Sequence, residues 1–152
     1  IVEEQKALKE QQMQNELEYK ESQLSAMTLQ MLQKNELMQE LKARFDNNSE
    51  KKDDGILKII NKGLNQDKDW SDFEAHFESI NKNFYTRLRQ VYPGIGVNDL
   101  KICALIKLNL SIKEMAGILN ISPDSVKTAR YRLRKKLGLS TEDNLTDFIL
   151  GL

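Results

Sequence analysis

The chain has few of the residues that break, stiffen or cross-link a fold. Its 152 residues include two prolines, seven glycines and one cysteine. A lone cysteine cannot form a disulfide within the chain. In the run Ile102-Cys103-Ala104-Leu105-Ile106 it reads as a small core residue. One histidine, His76, leaves histidine-based metal sites and histidine-assisted nucleophiles without their parts. No glycine-rich phosphate loop occurs, and the acids are scattered rather than paired, so neither catalysis nor a cofactor is expected. No apolar run approaches the length of a membrane span and no signal peptide is present. The chain itself is therefore expected to make no membrane contact and to lie in the cytoplasm. Nothing in it suggests a small-molecule ligand.

What is present is charge, and its distribution matters more than its sum. Twenty-three Lys and Arg balance twenty-three Asp and Glu. Residues 98–139, however, carry nine bases against three acids, a local balance of +6. Residues 1–54 carry eight bases against twelve acids, and the last thirteen residues carry three acids and no base. A basic module inside an acidic frame has nucleic acid as its usual partner.

The basic stretch is also the most patterned. In Ser111–Leu137, SIKEMAGILNISPDSVKTARYRLRKKL, Ser111 and Glu114 form a capping box at a helix start. Met115, Ala116 and Leu119 share one face, and Asn120 closes the helix in a position that tolerates left-handed backbone. A second start follows at once, with Ser122 as N-cap, Pro123 at the first helical position and Asp124 in the first turn. This second helix turns Val126, Ala129, Leu133 and Leu137 inward and a cation-rich face outward. Two short helices, a tight turn and a basic outer face describe a helix-turn-helix whose second helix enters a DNA major groove. Lys127, Thr128 and Tyr131 are the base-contact candidates, since Lys can donate to guanine and the Thr methyl can touch thymine. Ser111, Lys113, Arg130, Arg132, Arg134 and Lys135 are the expected phosphate contacts.

On these residues, Asn98 to Leu139 resembles the DNA-binding module of LuxR-type transcription regulators. The resemblance implies a four-helix unit ending in a short helix from about Glu142 to Leu150. It also implies base reading at Lys127, Thr128 and Tyr131. Ala129 stands where that family often has His, and Val97-Asn98-Asp99-Leu100 replaces its usual Thr-x-Arg-Glu entry.

Upstream, residues 3–45 lack Pro and Gly and read as one helix of about 65 Å. Leu17, Leu24, Met31, Met38 and Phe45 recur every seven residues, with Met27 and Leu41 at intermediate seam positions and Lys20 and Lys34 interrupting. A helix this long needs a partner. A second copy, giving a homodimer, is the favoured one, and folding back onto the chain's own helices is the alternative. The last helix, with Leu145, Phe148, Ile149 and Leu152, offers another pairing surface.

Asp46–Gly55 reads as a hinge, Ile56–Leu64 as a short amphipathic helix, and Gln66–Asp69 as a loop. Trp70, Phe73, Phe77, Ile80, Phe84 and Leu88 then step along one face of a helix ended by Pro93-Gly94, an aromatic stripe belonging to a core. The segments NELEYKESQLSAMTLQMLQKNELMQELK and DWSDFEAHFESINKNFYTRL, taken with the LuxR-like end, resemble the cytoplasmic end of Bacteroidetes membrane-spanning regulators with a periplasmic propeller sensor. That implies tethering to the inner membrane by a segment upstream.

The expected fold is all-α. Residues 1–54 form a coiled-coil-like signalling helix, 55–96 a helical connector, and 97–152 the helix-turn-helix module. The expected function is double-stranded DNA binding in transcription regulation. A helical adaptor docking a partner protein through its basic helix is the alternative, and sequence-neutral DNA architecture a third.

Overall fold

The computed structural model describes residues 1–48, 54–64 and 67–152. Among these, all regular structure is helical: α1 (Val2–Asn48), α2 (Asp54–Leu64), α3 (Asp67–Ile80), α4 (Phe84–Val91), α5 (Val97–Lys107), α6 (Ile112–Leu119), α7 (Pro123–Lys136) and α8 (Leu145–Leu150). Of the expected hinge, residues 46–48 still belong to α1 and 54–55 already to α2, while 49–53 lie outside the described residues. Of the expected loop, residue 66 is also outside them, while α3 already begins at Asp67.

The aromatic stripe is core, but it runs over two helices rather than one. Asn83 adopts left-handed backbone (φ 65°) and separates α3 from α4. Asn is among the few residues that enter that region at modest cost, so Asn81-Lys82-Asn83 can turn the chain without glycine or proline. Phe73, Phe77, Phe84 and Leu88 stay buried across the break. Phe77 lies 6.0 Å from Phe73, 5.5 Å from Phe84 and 5.8 Å from Tyr85, ring centre to ring centre.

The long helix folds back on its own chain. It packs against α2, α3 and α6, and its buried stripe is Leu24, Thr28, Met31 and Asn35. That stripe is rotated from the heptad seam toward the side of Thr28 and Asn35. Leu24 and Met31 enter the common core with Met27 packed against it, and Met38 lies over Gly63 of α2. Lys34, a seam interruption, pairs with Asp69 of α3. Leu17 and Leu41 are exposed and Phe45 is half-buried. Of the expected seam, Leu24 and Met31 are therefore covered within the chain, and Met27 and Met38 partly so. Leu145 and Ile149 of α8 are likewise inside the core, with Phe148 and Leu152 packed on it. Residues 2–19 of α1 are exposed along their whole length.

One continuous apolar cluster runs from Leu24 to Ile149 and draws on all three expected segments. At its centre is α5, in which Leu100, Ile102, Cys103, Ala104, Leu105 and Ile106 are all buried. No described helix is long and apolar enough to cross a membrane.

Replacing Phe77 by Ala removes a ring with no exposure and three aromatic neighbours. The expected loss is about 3–5 kcal/mol of unfolding free energy, measured by urea denaturation followed through Trp70 fluorescence. A loss below about 1 kcal/mol would mean the site collapses around the deletion.

Candidate nucleic-acid interface

Every turn from α5 to α8 is closed by hydrogen bonds the local sequence supplies. After α5, Asn109 takes left-handed backbone (φ 59°), and the Leu110 N–H reaches back to Leu105 O. At the start of α6 the capping box closes in both directions, Glu114 N–H to Ser111 Oγ at 3.1 Å and Ser111 N–H to Glu114 Oε1 at 3.0 Å. Asn120 ends α6 with φ 56°. Ser122 Oγ accepts from the Ser125 N–H at 3.1 Å and opens α7 with Pro123 in its first turn. Gly138 (φ 70°) closes α7 in a Schellman arrangement, Leu139 N–H to Arg134 O and Gly138 N–H to Lys135 O. The entry to α5 keeps half of a capping box: the Asp99 carboxylate accepts from the Gly96 N–H at 2.8 Å.

This frame fixes how α7 is turned. Val126, Leu133 and Leu137 are buried and Ala129 partly so, which leaves Lys127, Thr128, Tyr131, Arg132 and Lys135 exposed. Lys135 Nζ lies 4.6 Å from the Tyr131 ring centre, so the two form a local cation–π pair. Thr128 donates its hydroxyl to Asp124 O at 3.0 Å, leaving its methyl as the part able to meet a base. Ser111 and Lys113 are exposed at the start of α6. Lys127, Arg132 and Lys113 have no ion-pair partner among the described residues.

Two of the expected phosphate contacts are engaged inside the protein instead. Arg130 is half-buried and donates to Thr146 Oγ1 on α8 at 3.1 Å, with Met115 Sδ 3.9 Å away. Burial, followed by the neighbouring Arg134 charge, lowers its guanidinium pKa. Arg134 donates to Ser140 O at 2.6 Å and Asp143 O at 2.7 Å, bracing the loop into α8. The expectation of freely available cations at these two positions is corrected. The helical register carries the reason: Arg130 is four residues after buried Val126 and three before Leu133, and Arg134 is three before Leu137. Both flank the inward stripe rather than the outer face. Lys136, unremarked in the sequence, pairs with Asp99 at 2.6 Å and ties the end of α7 to the start of α5.

Two carboxyls in the frame titrate low. Glu114 is held below the usual range by the Ser111 backbone N–H and then its hydroxyl, and Asp143 by the same two groups of Ser140. Cys103 is pushed up to about 12 by burial, with the Asp99 charge adding, so it is an inert thiol. His76 Nδ1 stands 3.0 Å from Asp72 O on α3, and the described residues hold no group of metal-ligating side chains.

Replacing Arg134 by Ala should lower stability by about 1–2 kcal/mol in urea denaturation. On the DNA-binding reading proposed below, the salt dependence of binding should stay unchanged; a slope reduced by about one would return Arg134 to the phosphate contacts. Because the folded values of Glu114 and Asp143 lie below the unfolded ones, their stabilisation is complete above the ordinary carboxylate range. It is lost as pH falls through the folded values. Asp143→Asn should therefore flatten the fall in Tm as pH drops through and below the ordinary carboxylate range, and an acid limb as steep as in the parent would remove Asp143 as a contributor.

No protein-family model, curated protein or solved structure matches this chain.

Proposed function

We propose that the chain is a sequence-specific DNA-binding regulator of transcription, LuxR-like in its last four helices, and the cytoplasmic part of a sensor-regulator that works as a homodimer. One observation carries the reading: on α7, Lys127, Thr128 and Tyr131 lie exposed together on the face opposite a buried Val126–Leu137 stripe. A helix held this way can enter a major groove with its N-terminal half at the base edges. Arg132 and Lys135 beside that face, with Ser111 and Lys113 at the start of α6, supply the phosphate contacts. The local balance of +6 over residues 98–139, nine bases less three acids, favours a polyanion over an acidic peptide patch of similar size.

One such module offers a small interface, so two copies are needed for useful specificity. Folding leaves α1 uncovered ahead of Leu24, where Leu8, Met13 and Leu17 are exposed, and the pairing surface belongs there rather than at Leu24 and Met31.

Selection of bound duplexes from a random-sequence pool tests the reading. A two-part motif with fixed spacing is the expected result. Binding without enrichment would indicate an architectural role, and no binding would favour the helical adaptor. On the selected site, Lys127→Ala should cost about 1–3 kcal/mol and relax preference at one base pair. Equal loss on selected and random DNA would take Lys127 out of the base-reading set.

A further inference from the structure

Among the described residues of α1 the buried polar ones are Thr28 and Asn35, and they differ in what they bind. Thr28 satisfies itself on its own helix, donating to Leu24 O at 2.7 Å. Asn35, with 2% exposure, reaches another element: its Nδ2 donates to Gly117 O and Ile118 O, both at 3.0 Å. These are last-turn carbonyls of α6, which have no partner within their own helix. One turn further along α1, Gln39 donates to the side chain of Asn120, the left-handed residue at the bend between α6 and α7. Just before Asn35, Leu32 lies on Gly117 so closely that a Cβ there would overlap Leu32 Cδ1 and force that side chain to move. Leu32, Asn35 and Gln39 thus grip residues 117–120 in order, two residues ahead of the Ser122 N-cap of α7.

This grip does not mask the outer face. Lys127, Thr128, Tyr131, Ser111 and Lys113 are all exposed with α1 in place. Nor does it repel phosphate by net charge, since Glu21–Arg44 holds three acids (Glu21, Glu36, Glu40) and three bases (Lys34, Lys42, Arg44). What remains to it is geometry. We infer that Leu32, Asn35 and Gln39 are positioning residues for the DNA-reading helix: α1 clamps the pivot at Gly117–Asn120 and thereby fixes how α7 sits in the groove. The docked state is the binding-competent one, and undocking loosens the pivot and weakens sequence-specific binding. Asn35 Oδ1 is buried with no hydrogen-bond partner among the described residues, so the clamp is incompletely satisfied and correspondingly easy to release. The inference rests on the DNA-binding reading above.

The test uses Gly117→Ala in the full chain, with Leu32→Ala added to restore the space. Alanine raises the helix propensity of α6, so weaker binding cannot be ascribed to a weaker helix. Gly117→Ala is expected to reduce affinity for the selected duplex about tenfold, with random-duplex affinity unchanged. Amide hydrogen exchange should quicken at Ile118–Ser122 and across residues 30–39 of α1, and the double variant should recover both. Asn35→Asp, which removes the donors without adding bulk, should act in the same direction as Gly117→Ala. Unchanged affinity in both single variants, or equal loss on selected and random DNA, would overturn the inference. If the parent chain binds no duplex at all, the DNA reading falls. The exchange data then still decide the clamp: quickened exchange at the turn upholds it, and exchange confined to α1 overturns it.

Discussion

Helix α5 cannot stand with any side in water between Leu100 and Ile106, where six of seven residues are apolar and buried. A helix apolar all round must be covered all round, and the cover comes from both directions along the chain. Helices α7 and α8 pack on it from the C-terminal side. From the N-terminal side, Lys101 places its ammonium 5.2 Å from the Trp70 ring centre on α3, and Lys107 places its own 5.9 Å from that of Phe84 on α4. Lys107 also donates to the carbonyls of Leu150 and Leu152 at 3.0 and 3.2 Å, so it caps the end of α8 while covering the core. The basic module and the aromatic connector are consequently one packed body about α5. A change in either is felt by the other through well-filled apolar contact.

On that foundation the outer face of α7 is set by small local devices. Asn109, Asn120 and Gly138 each take left-handed backbone at the close of α5, α6 and α7, and the serine caps fix where the next helices begin. Arg130 and Arg134 hold α8 and its approach against α7, which divides the labour of the basic residues. Some keep the helix in place, and others are left facing outward.

Much of this was legible in the residues because it is local. The Ser111–Glu114 capping box, the left-handed Asn120 and a four-residue apolar spacing act within one or two turns, so the boundaries of α6 and α7 and the inward stripe of α7 could be read directly. The aromatic stripe identified core residues, yet a periodicity that continues through a turn cannot reveal the turn, and the break at Asn83 was hidden by it. Partner choice was harder to read. A heptad stripe says that one side of α1 must be covered, not by what, and the buried Asn35 marks the difference, since its carbonyl partners lie more than eighty residues away. The two arginines on the flank of α7 show the same limit. A side chain at the edge of an apolar stripe turns in or out according to what the next helix offers, here Thr146 and the carbonyls of Ser140 and Asp143.

The uncovered stretch of α1 has a mechanical meaning. From Leu24 to Ile1 the helix extends about 35 Å beyond its first buried residue. It is a lever whose short arm lies along α6. A tilt of about 10° where it meets the body would carry Ile1 through about 6 Å at that rise per residue. The gearing also runs the other way: a displacement of several ångströms at the far end would reach the contacts of Leu32 with Gly117 and of Gln39 with Asn120 as a small rotation.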